Sequence, residues 1–90
     1  MTEQEFHQRI KDIVGICDYE SIFVKDGRRN IVYLRFIFTH WYRLQGFTLQ
    51  QIADKLNKDH STVVHYQKNF DINYEYTKDF RKLADKVLKE

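Results

Sequence analysis

Thr48-Leu49-Gln50-Gln51-Ile52-Ala53-Asp54-Lys55-Leu56-Asn57-Lys58-Asp59-His60-Ser61-Thr62-Val63-Val64-His65-Tyr66 is the stretch whose pattern decides how this chain folds. Thr48 followed three residues later by Gln51 is a capping box, the mark of a helix start. Leu49, Ile52, Ala53 and Leu56 then recur at i, i+3, i+4 and i+7, on one face of a two-turn amphipathic helix that turns Gln50, Gln51, Asp54 and Lys55 outward. Asn57-Lys58 predicts a tight turn, because asparagine enters the left-handed conformation at lower cost than most residues. A second helix follows at once, with Val63, Tyr66 and Phe70 on its apolar side and Ser61, Thr62, His65, Lys68 and Asn69 on its polar side. Two helices joined in this way form a helix-turn-helix, expected over about residues 48–71.

Upstream, Gln45-Gly46 closes an earlier helix. From Asn30 to Leu44 the apolar residues surround nearly the whole circumference, which predicts a centrally buried helix. Its aromatic and β-branched content would also suit a strand, but a run this long without turn signals exceeds ordinary strand length. Arg35, Thr39, His40 and Arg43 interrupt it, and it falls short of the roughly 20 residues that cross a bilayer, so a core helix is expected and not a membrane anchor. Lys25-Asp26-Gly27-Arg28-Arg29 reads as a basic loop, preceded by a turn of helix around Tyr19 to Phe23. Thr2-Glu3-Gln4-Glu5 is another capping box, opening a first helix whose apolar face carries Phe6, Ile10, Ile13, Val14 and Cys17. Downstream, Asp71 to Asn73 reads as a break. Tyr76, Phe80, Leu83, Ala84, Val87 and Leu88 then define a last amphipathic helix, with Lys82, Lys86 and Lys89 on its solvated face.

The expected fold is all-α, a compact helical bundle, as one domain over residues 1–90. Ninety residues suffice for one core and not for two. A composition 42% hydrophobic and 31% charged belongs to a folded domain and excludes a disordered tail. The net charge of +2 is too small to indicate nucleic acid by itself, so local clustering must decide. A single cysteine, Cys17, allows no internal disulfide, and no basic segment followed by an apolar one opens the chain, so a cytoplasmic setting is expected.

The second helix of the pair carries the chemistry. In a helix-turn-helix the first helix crosses the phosphate backbone and the N-terminal residues of the second meet base edges in the major groove. Asp59 can accept from a cytosine amino group, His60 can donate or accept, and Ser61 and Thr62 can do either or hold a phosphate near the positive helix terminus. Asp59 has a second reading as the helix N-cap, worth about 1 kcal/mol, and both readings stay open.

These residues also resemble a known family. Lys58-Asp59-His60-Ser61-Thr62-Val63-Val64-His65 is similar to the signature of the C-terminal DNA-binding domain of the bacterial replication initiator DnaA. The likeness extends more loosely to Leu49, Ile52, Ala53 and Leu56 and to Arg28-Arg29, over roughly residues 16–88. It implies double-stranded DNA as partner, in replication control or transcription regulation. By the same resemblance Asp59, His60 and Ser61 read bases, Thr62 and Lys58 hold phosphates, and Arg28 or Arg29 enters the adjoining minor groove. His65 and Lys68 complete the expected DNA-binding set. Three features depart from the family: a shorter turn with Asn57 where a glycine pair is common, a longer and more aromatic helix ahead of it, and no G-x-x-x-x-G-K-[ST] phosphate loop, so no nucleotide is expected.

Other chemistries find little support. His60 and His65 stand five apart, not at the i, i+4 spacing that brings two imidazoles to one metal, and no cysteine or carboxylate completes a set. No nucleophile, base and orienting group can be assembled, so neither an enzyme nor a cofactor is expected. Cys17 is expected to pack as a small hydrophobe, and His40 to be a hydrogen-bonded core or rim residue. The rival reading is a protein-interaction module. It would use the aromatic helix 30–44, through Phe36 to Tyr42, to bind a partner or a second copy.

Overall fold

The computed structural model describes residues 1–89 and is all-helical. Its elements are α1 (Glu3–Val14), α2 (Ile16–Ser21), α3 (Arg29–Leu44), α4 (Leu49–Leu56), α5 (His60–Tyr76) and α6 (Lys78–Leu88). None of these helices is long and apolar enough to cross a membrane.

The helix starts follow the capping chemistry of the sequence. Thr2 accepts from the Glu5 amide at 3.1 Å while the Glu5 carboxylate accepts from the Thr2 amide, and Thr48 with Gln51 repeats the arrangement at α4. The ends of α3 and α4 share another device. At α3 the Phe47 amide donates to the Tyr42 carbonyl at 3.1 Å and the Gly46 amide to Arg43 at 3.0 Å, with Gly46 at φ +92°. At α4 the Lys58 amide donates to Ala53 at 2.9 Å and Asn57 to Asp54 at 3.3 Å, with Asn57 at φ 56°, ψ 47°. Both are Schellman closures, in which one left-handed residue lets the last turn satisfy its own carbonyls. The Phe47 ring packs edge-on against Tyr42 at 5.0 Å, supplying the apolar contact that accompanies the motif.

Around α3 the other helices bury one continuous cluster. Phe6 and Ile10 from α1, Ile52, Ala53 and Leu56 from α4, Val63 and Phe70 from α5, and Phe80, Ala84 and Val87 from α6 all enter it. Phe6 stacks flat on Trp41, centroids 4.3 Å and planes 5° apart. Phe36, Phe38, Trp41 and Tyr42 are buried within the chain, so the aromatic surface that a partner or second copy would use is covered by the domain's own helices. His7 ties α1 to its neighbours, with its ring nitrogens 2.8 Å from the Tyr19 hydroxyl and 2.7 Å from that of Tyr42.

Two boundaries differ from the sequence expectation. The first helix stops at Val14 because Gly15 takes φ +89°, and the chain restarts as α2 in a new direction. Cys17 is therefore exposed on α2 and is not packed on the apolar face of α1. At the other end, α5 runs straight through Asp71 to Asn73 and stops at Thr77. Asparagines break helices when their side chains compete for backbone groups. Here the Asn69 and Asn73 amides donate backward to the His65 and Asn69 carbonyls at 2.9 and 2.8 Å and leave the helix intact.

A charge sits inside this apolar bundle. Arg35 is only 5% exposed, and its guanidinium donates to three carbonyls at the end of α2: Ile22 at 3.0 Å, Ser21 at 3.2 Å and Val24 at 2.6 Å. A carboxylate is not required, because helix-terminal carbonyls carry partial negative charge and lack donors of their own. Arg35→Met keeps the apolar stem but leaves those carbonyls short of partners. It is expected to lower the unfolding free energy by about 3 kcal/mol in urea denaturation. A loss below about 1 kcal/mol would mean that water reaches the carbonyls and that the charge is dispensable.

Candidate nucleic-acid interface

The phase of α5 is set from inside. Val63 is fully buried and Phe70 nearly so, which turns the opposite face of the helix to solvent. Asp59, His60, Ser61, His65 and Lys68 are exposed, and Lys58 and Thr62 are half-buried. Ser61, His65 and Lys68 stand at i, i+4 and i+7, so they form one stripe along the helix. Val64 lies beside that stripe, half-buried. The sequence reading assigned it no role, although a partly exposed valine on this face offers the apolar contact that a thymine methyl accepts.

Asp59 occupies the N-cap position, with extended backbone at φ −74°, ψ 154°, and its carbonyl accepts from the Val63 amide at 3.2 Å. Its carboxylate makes no capping hydrogen bond. That separates it from Thr2 and Thr48, whose side chains both cap. The carboxylate stays free to act as an acceptor, and the first-turn amides of α5 receive no bond from it.

The basic loop belongs to the same end of the molecule. Phe36 packs on Tyr66 at 5.6 Å and His40 on Phe70 at 3.8 Å, so the contact advances four residues along both helices and α3 and α5 run in the same sense. Arg29 and His60 lie about 10 and 9 Å of helix, respectively, back from that first contact. Arg35, beside Tyr66, holds the carbonyls of Ser21, Ile22 and Val24 and so fixes the segment that leads into the loop.

Within the loop the two arginines have different surroundings. Arg28 is committed to carboxylates, reaching Asp26 at 2.9 Å and Asp18 at 3.1 Å. Arg29 donates to the Tyr33 hydroxyl at 2.9 Å, lies over that ring and reaches Asp79 only at 4.0 Å. Releasing Arg28 toward DNA would break two close ion pairs, and releasing Arg29 would break none of comparable closeness.

No family model, characterised protein or solved structure matches the chain.

The pairing in the loop has a measurable consequence. Hydrogen bonds from the Arg28 side chain, and then from its backbone amide, hold the Asp26 carboxyl down to about 2 from an ordinary 3.8. With the folded value below the unfolded one, the pairing is fully present above about pH 4 and is lost as the pH falls through the folded value. Carboxyl NMR titration should show Asp26 still ionised well below its ordinary pKa, and Arg28→Ala should return it toward that value. An ordinary Asp26 titration in the unaltered chain would show that the loop pairing does not persist in solution.

Proposed function

We propose that this chain is a sequence-specific double-stranded DNA-binding protein of the DnaA C-terminal type, acting in replication initiation control or transcription regulation by binding alone. The observation that carries the reading is the start of α5. Asp59, His60 and Ser61 project together from the helix, with the Asp59 carboxylate uncommitted to capping. Such an N-terminus presents side chains of mixed donor and acceptor character at the point where a recognition helix meets base edges. Lys58, Thr62 and Lys68 flank it as phosphate contacts, and His65 continues the exposed stripe.

For the minor groove the surroundings favour Arg29 over Arg28, since Arg28 would first have to leave Asp18 and Asp26. A narrow A·T-rich groove, with its enhanced negative potential, is the partner this arginine fits.

Competition binding with matched and scrambled duplexes, alongside thermal unfolding of each variant, tests these roles. His60→Ala should cost about 1–3 kcal/mol on the preferred site and little on scrambled DNA. Asp59→Asn should keep stability and shift specificity, because no capping bond is lost. Arg29→Ala should reduce the flanking A·T preference, while Arg28→Ala should act mainly on the loop. Lys58→Ala should weaken all sequences alike and lower the salt slope by about 1. If folded His60→Ala and Asp59→Asn keep the ratio of specific to nonspecific binding, the major-groove assignment is wrong.

A further inference from the structure

A cavity of about 460 Å³ opens between α3, the C-terminal half of α5 and the end of α6. It begins about 15 Å along α5 from His60, and nothing in the DNA reading uses it. Its floor is aromatic. The His40 ring lies flat on Phe70, centroids 3.8 Å and planes 4° apart, and Tyr74 continues the stack at 5.7 Å and 15°. Three carboxylates stand around this floor, from Asp71, Glu75 and Asp85, against the single ammonium of Lys89.

The carboxylates are not equally satisfied. Asp85 accepts from the Tyr74 hydroxyl at 2.7 Å and pairs with Lys89 at 3.5 Å. Asp71 and Glu75 make no ion pair among the described residues. They stand i, i+4 on α5 near its C-terminal end, where like charges repel each other and the helix dipole is itself negative. Arg81 offsets part of this by donating to the Tyr74 and Glu75 carbonyls at 2.7 and 2.6 Å and lying over the Tyr74 ring, but it does not line the cavity. Burial lowers the pKa of His40 against the opposing pull of Asp71, so the imidazole adds no cation at neutral pH.

We infer that this cavity binds a small organic cation, an ammonium carried on an apolar body. The free carboxylates of Asp71 and Glu75 supply the counter-charge, and Leu88 with the stacked rings lining the cavity receives the apolar part. An anion would meet three carboxylates, and a neutral ligand would desolvate Asp71 and Glu75 without pairing them. Lys89 pairs with Asp85 at the rim and leaves Asp71 and Glu75 without a cation. An inorganic ion is less suited, because no three His, Cys, Asp or Glu side chains among the described residues are grouped so that they could hold one metal ion. The volume lies within the range of about 300–1,000 Å³ typical of small-molecule sites.

Benzylamine, its neutral analogue benzyl alcohol and its anionic analogue benzoate are the probes, titrated into the full chain while the His40 and Tyr74 ring resonances are followed. Benzylamine should bind at least about tenfold more tightly than benzyl alcohol and benzoate weakest of all. The double variant D71N/E75Q should reduce benzylamine to the affinity of the alcohol. Its thermal midpoint should be unchanged or higher, since both side chains are exposed and their repulsion is removed. Lys89→Ala should strengthen benzylamine binding by freeing Asp85. Equal affinity for amine and alcohol, undiminished amine binding by D71N/E75Q, or no response of His40 and Tyr74 to the amine would each overturn the inference.

Discussion

The burial of Arg35 is the constraint around which the bundle is arranged. A guanidinium taken out of water must place its donors, and here it places them on the carbonyls of Ser21, Ile22 and Val24 around the end of α2, with the Tyr66 hydroxyl beside it. One side chain therefore decides where α2 ends against α3 and how the chain enters the loop that follows. The Thr39 hydroxyl adds to the same polar seam by donating to the Arg35 carbonyl at 2.9 Å. Around it the interior of α3 is almost entirely apolar, which makes any misplacement of the α2 terminus costly and the docking geometry specific.

From that anchor the rest follows by packing. α3 offers buried side chains on nearly every side, so α1, α4, α5 and α6 can each lay one apolar face against it or against one another. The Schellman closures at Gly46 and Asn57 keep the connections on either side of α4 short, and Val63 sets the rotation of α5. The proposed DNA-reading face is a consequence of that rotation. Turned by about half a revolution, α5 would bury Ser61 and His65 and expose Val63 and Phe70.

The two ends of α5 differ in charge. Its first turn bears no acidic residue beyond the Asp59 N-cap ahead of it and displays His60, Ser61 and Thr62, while its last two turns carry Asp71 and Glu75 over an aromatic floor. The partial charges at helix ends treat the two differently: a carboxylate at the N-cap is favoured by the dipole, whereas carboxylates near a C-terminus stand against it. The second is the arrangement that a bound cation would relieve.

Local sequence determined most of the secondary structure. The capping boxes at Thr2 and Thr48, the left-handed turn at Asn57, the extent of the long helix and the polar face of α5 are all set by neighbours within four or five residues, and such short-range rules can be read along the chain. Where the reading went astray, the deciding contact was of another kind. Asp71 to Asn73 looked like a break because side-chain bonding to the i−4 carbonyl cannot be told in advance from bonding that ends a helix, and Cys17 was misplaced because Gly15 fits the middle of a pattern as well as its end. Only the tertiary structure could decide which acceptors Arg35 finds 11 to 14 residues away, that His7 reaches Tyr19 and, 35 residues on, Tyr42, that Arg28 also reaches Asp18, and that His40, Phe70 and Asp85 meet around one cavity. Those contacts join residues that are remote along the chain, and which of them form depends on how the helices rotate and cross once the apolar faces are buried together.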